Sequence, residues 1–161
     1  VVQAALDTGA FDTFAFGDGM IGDALGDTFG SDIDGSFGTN PGSQGDGIEA
    51  YQTLAGEAGI DGSGVYSAEG YDAAALIILA MQAAGSTDAG EYAGMIEAVA
   101  NAPGEEIMPG ELGRALEILA EGGEIDYVGA SSVELVGPGE AAGTYRETEM
   151  QGGELTTIQF H

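Results

Sequence analysis

Cysteine and lysine are absent, histidine occurs once and basic residues number 2. Each scarcity removes a class of chemistry. Without cysteine there is no thiol nucleophile, no disulfide and no thiolate metal site, and no compartment is implied. Without lysine no lysine Schiff base can form. The lone histidine, His161, is the last residue, which suits a chain end or tag remnant better than a catalyst. Triads and zinc sites that need an internal imidazole are thereby excluded. The two cations, Arg114 and Arg146, stand against 28 acidic residues, for a net charge of −26. Nucleic acid and anionic membranes both require a basic face, so neither is expected as a partner. The acids are spread along the chain rather than blocked, as on the solubilised surface of a salt-adapted protein. The longest apolar run, residues 73–81, is too short for the ~20 residues that span a bilayer, so direct membrane insertion is not expected.

What is present suits one α/β body of ordinary apolar content: 161 residues, 43% hydrophobic, with 30 glycines. The organising stretch is residues 13–29, TFAFGDGMIGDALGDTF. An apolar strand over 13–16 runs into Gly17-Asp18-Gly19, and a helix is expected to open near Met20 with Ile21, Leu25 and Phe29 inward. That order puts Asp18 at the carboxyl end of a strand, where open α/β sheets bind ligands. A carboxylate beside flexible backbone suits a cation such as an ammonium group, and Gly19 lets the backbone approach it closely. Two other readings stand beside this one. Asp18 has the right side chain for a helix N-cap. Gly17, Gly19 and Gly22 also satisfy G-x-G-x-x-G, which would make the chain a nucleotide-dependent enzyme using residues 17–22. Against the latter, Asp18, Asp23 and Asp27 would face a pyrophosphate with no nearby cation. Like charges at 4 Å repel by roughly 4 kcal/mol at an effective dielectric of about 20.

Elsewhere, VVQAAL is helical and closed by Gly9. Residues 36–39 form a short strand and Asn40-Pro41-Gly42 marks a crossover. Asp32, Asp34 and Asp46 lack the spacing of a calcium loop, Gly35 falling too early. A helix over 48–58 carries Ile48, Tyr51, Ala55 and Ala58. Asp61-Gly62-Ser63-Gly64 is a turn. The helix YDAAALIILAMQAAG shows no polar face and is expected to be buried all round. Asp88 and Glu91 make a capping box for a helix with Tyr92, Met95, Ile96 and Val99 inward. Residues 101–110 read as a loop. A helix over 111–121 turns Leu112, Ala115, Leu116 and Leu119 inward and sets Arg114 beside Glu111 and Glu117. Strands follow at 125–128 and 132–136, a turn at Gly137-Pro138-Gly139, then a hairpin of 144–150 and 155–160 about Gln151-Gly152-Gly153-Glu154.

The strand ending in Asp-Gly, the YDAAALIILAMQAAGS helix and the late IDYVGASSVELVGPGEAAGTYRETEMQGGEL together resemble one family. It is the type I periplasmic solute-binding proteins of ABC transporters, of the branched-chain amino acid (Leu/Ile/Val)-binding group. The resemblance covers essentially the whole chain and implies Rossmann-like α/β lobes, parallel sheets flanked by helices, and a ligand cleft between two lobes. Members are more than twice as long, so the chain resembles their C-terminal portion. Residues 1–38 and 131–161 would then belong to the second lobe and residues 39–130 to the first. The opening at Val1 inside a helical stretch, with no signal peptide, fits an incomplete fragment partnered by a missing N-terminal segment.

The resemblance implies a periplasmic protein that binds an amino acid or related small polar solute and delivers it to a membrane permease, with no cofactor and no enzymatic step. Asp18 matches the family's acidic residue for the ligand's ammonium group, with Gly19 beside it. The groups for the ligand's carboxylate lie in the family's N-terminal portion. A ligand-sensing regulatory domain of the same fold is a further reading.

Overall fold

The computed structural model describes residues 1–137 and 139–161. The expected turn at Gly137-Pro138-Gly139 rests on Pro138 and lies outside the described residues. The chain forms two compact units, Val1–Gly42 with Thr144–His161, and Ser43–Gly143. The division near residue 143 has a local reason. Ser131, Val133 and Leu135 bond to or pack on residues of the Ser43–Gly143 unit.

The elements in chain order are α1 (Val2–Thr8), β1 (Ala15–Phe16), α2 (Asp23–Phe29) and β2 (Phe37–Pro41). Then come α3 (Asp46–Glu57), α4 (Ser67–Ala84), α5 (Ala89–Tyr92), α6 (Ile96–Ala100), β3 (Glu105–Ile107) and α7 (Leu112–Ala120). The strands β4 (Ile125–Tyr127), β5 (Glu134–Gly137), β6 (Glu140–Ala142), β7 (Tyr145–Gln151) and β8 (Glu154–Phe160) close the chain.

The discontinuous unit is a four-stranded sheet in the order β1-β2-β7-β8. Its β1–β2 pair is parallel and the other two pairs are antiparallel. Helix α1 ends as expected, with Gly9 left-handed at φ 63° and its N–H donating to the Leu6 carbonyl. Helix α2 begins at Asp23 rather than Met20. Residues 17–21 form a turn instead, with the Met20 and Ile21 N–H groups both on the Gly17 carbonyl at 2.9 and 3.2 Å, and Gly22 follows in extended backbone. The inward stripe is the expected one. Ile21 is buried with Val2, Phe16, Ile33 and Met150, and Leu25 and Phe29 pack on that cluster. The hairpin turns at Gly152 and Gly153, φ 64° and 82°, the pair of left-handed residues that a two-residue turn between twisted strands requires. Asp34 braces it, accepting from both glycine N–H groups at 3.0 and 2.9 Å.

The continuous unit is built around α4. Ala75, Leu76, Leu79 and Ala80 are buried against Val99, Ala100, Ile107, Ala115, Ile125 and Tyr127. The expectation that α4 is buried on every side is corrected: Ile77 and Ile78 are 39% and 47% exposed. Burial follows the side that faces α6 and α7. Residues 101–110 are not all loop. Strand β3 pairs in parallel with β4, and α7 lies between them in sequence, a β–α–β unit. The helix after Asp88 is not continuous. Ala93–Met95 tightens into a 3-10 turn between α5 and α6, and Met95 is exposed. Asp88 is its N-cap as expected, accepting from the Gly90 N–H at 2.8 Å. Arg114 pairs with Glu105 on β3 instead of Glu111 or Glu117. Glu111 instead accepts the Met108 N–H at 2.9 Å. Among the described residues no single helix is long and apolar enough to cross a membrane.

Candidate functional site

Asp18 sits where the sequence places it, two residues beyond the end of β1 and in the turn that precedes α2. It is exposed, and its Oδ1 accepts the Gly19 N–H at 2.7 Å. It does not cap the helix: the N-cap of α2 is Gly22. A side chain added at Gly17, Gly19 or Gly22 would meet nothing within 4 Å. In the dinucleotide fingerprint the third glycine relieves close helix–strand packing. No such packing exists at Gly22.

The same sheet edge carries a second polar group that sequence reading missed. β1 and β2 are parallel with Phe16 opposite Gly38. Two residues further along each chain stand Asp18 and Asn40. Asn40 in turn pairs with Arg146 on β7. The Arg146 Nε–H donates to Asn40 Oδ1 at 3.2 Å, and Asn40 is fully buried. Gly42 makes room for this arginine, since a Cβ there would lie 2.8 Å from Arg146 Cβ. The Asn40 Nδ2 is buried with no hydrogen-bond partner. Asn40 and Arg146 are 106 residues apart in sequence, which leaves no local signal for the pair.

Two other polar groups are structural. His161 shares a hydrogen bond with Glu147 at 2.9 Å, and its side chain, with help from Gln159, holds the Glu147 carboxyl below the usual carboxylate range. Among the described residues no three His, Cys, Asp or Glu side chains are grouped to hold a metal ion.

No protein-family model matches the chain. The substrate-binding protein BasB of a chemotactic signal transduction system in Halobacterium salinarum is 36% identical over 66 residues. That alignment takes in 41% of this chain and 16% of BasB. The leucine-binding protein LivK of Thermotoga maritima superposes with a TM-score of 0.63 at 18% identity, over 99% of this chain and 39% of LivK. The chain has the type I periplasmic-binding-protein fold. Within that fold, the YDA helix and the GAS segment are tied by one buried carboxylate. Asp72 of α4, 2% exposed, accepts from Tyr127 OH at 2.9 Å and from the Ala130 N–H at 2.8 Å. It also accepts from Ser131 N–H at 2.7 Å and Ser131 OH at 2.6 Å. Gly129, left-handed at φ 64°, has no room for a Cβ, which would strike that carboxylate.

Proposed function

We propose that the chain belongs to an extracytoplasmic solute receptor that binds an amino acid or related small polar solute and hands it on without chemical change. The observation that carries this reading is the exposed carboxylate of Asp18 at the carboxyl end of β1, on a periplasmic-binding fold. An ammonium group donating to that carboxylate, with Gly19 leaving space for its approach, forms a charge-assisted hydrogen bond. The 36% identity with a substrate-binding protein supports the same reading. In this proposal residues 1–38 and 131–161 belong to the second lobe of such a receptor and residues 39–130 to the first. A further N-terminal segment completes it, and an ABC permease receives the solute in the periplasm. A second reading shares the same solute site but ends at a signal transducer. The likeness to a chemotactic substrate-binding protein favours it.

The test is calorimetry of the intact protein against a panel of amino acids. Asp18→Asn is expected to weaken the bound amino acid by about tenfold to a hundredfold, the loss of one hydrogen bond to a charged group. The melting temperature should barely move, because the residue is exposed. Undiminished affinity would take Asp18 out of the site.

A further inference from the structure

We infer that the outer face of α4 is an internal surface of the longer receptor, covered by apolar β-strands of its further N-terminal segment. The face consists of Ala73, Ala74, Ile77, Ile78 and Met81, which recur at helical spacing and share one side of α4. The first four are exposed and Met81 is half-buried. The other side, with Ala75, Leu76, Leu79 and Ala80, is the one packed in the core. A helix that is apolar on both sides is built for burial between two layers, and the described residues provide one of them. Charge points the same way. Residues 73–87 carry no charged side chain, the longest such stretch in a chain that has 28 acids. A hollow of about 730 Å3 continues the face, lined by Ile78, Met81 and Leu116 with Gln82, Ser86 and Thr87, and none of its lining residues is charged. Depletion of charge is the mark of the core of an interface.

The occupant follows from what else this unit is short of. Its parallel sheet is β3 paired with β4, and each strand has 3 residues. Parallel sheets are covered on both faces, and stable sheets run to three or more strands. The face of α4 is two residues wide along most of its length, broad enough to lie on a sheet rather than along the narrow seam of a helix pair. The superposition on LivK takes in 99% of this chain and 39% of LivK, so the shared fold belongs to a chain with the length to provide such strands. A second copy is the poorer occupant, because docking it would bring together two bodies of net charge −26. The inference rests on the reading of the chain as part of a longer receptor, and its test keeps the two apart.

Because these residues include no cysteine, one introduced thiol reports on one position. In the intact protein, Ile78→Cys and Ala74→Cys are treated with iodoacetamide, with Ser63→Cys in an exposed turn of the same unit as the reference. Modification is read by mass spectrometry of the peptide that carries the substitution. Both face positions are expected to react about a hundredfold more slowly than Ser63→Cys in native buffer, and at the same rate in urea. Reaction at the reference rate in native buffer overturns the inference. Protection that disappears on dilution overturns it as well, by showing that a second copy is the cover. Calorimetry of the same variants against the amino-acid panel reports separately on the solute reading. Protected thiols without binding of any amino acid would leave the cover and remove the solute. Amino-acid binding with freely reacting thiols would do the reverse.

Discussion

A carboxylate withdrawn from water without a cation must be met by donors, and Asp72 is met by four. The cost of removing it follows from what is left behind. Asp72→Ala strands the Tyr127 hydroxyl and the Ala130 N–H in a dry interior, at about 1–3 kcal/mol for each unsatisfied group. Tyr127 carries the pH signature of the same contact. Burial, and after it the charge and hydrogen bond of Asp72, push its hydroxyl far above the ordinary tyrosine range. The folded state therefore keeps this proton at a pH where the unfolded chain has released it. Stability is intact below about pH 10 and falls above it, by up to about 1.4 kcal/mol per pH unit for one proton. Urea titrations between pH 9 and 11 should show a steeper fall in the native protein than in Tyr127→Phe. Parallel curves would mean that Tyr127 does not hold its proton in the fold.

At the scale of elements, α2 and the β7–β8 hairpin are locked by a glycine. A Cβ at Gly26 would collide with the Gly153 carbonyl oxygen, on backbone that cannot rotate away. Gly26→Ala therefore has to push the helix off the turn. It is expected to destabilise by about 1–3 kcal/mol, despite the better helix propensity of alanine. Chemical denaturation measures this directly, and a stabilised variant would show that helix and turn are not in contact.

The same elements show what was legible in the sequence. The hairpin could be read because Gly152-Gly153 sits between two alternating strands, and α1 because Gly9 closes it. Asp18 could be read because a glycine-flanked acid after an apolar strand is a local pattern. Strand β3 could not: three residues, two of them glutamates, give no period, and its parallel partner lies beyond a helix. Asp72 was hidden inside an apolar helix, with its donors 55 to 59 positions away. The exposed Ile77 and Ile78 show a different limit, since hydropathy alone does not say which sides of a helix find neighbours.

For the whole molecule, the net charge of −26 sets the dominant long-range force. Like charges distributed over a small body oppose compaction, and salt relieves them as the Debye length falls from about 10 Å at 0.1 M to about 3 Å at 1 M. The melting temperature should climb over that range of sodium chloride and then flatten. A decrease would mean that the few ion pairs outweigh the repulsion.

The tie between the Gly42 N–H and the Thr144 carbonyl, 3.1 Å long, has a consequence for how the protein is made. Everything from residue 43 to residue 143 leaves the ribosome between the two halves of one sheet. Strand β2 is translated before them, and waits with its inner edge bare until β7 and β8 follow. The nascent chain must keep that edge from other partners while a hundred-odd residues are added, and its dense negative charge is well suited to holding neighbouring polypeptides at a distance.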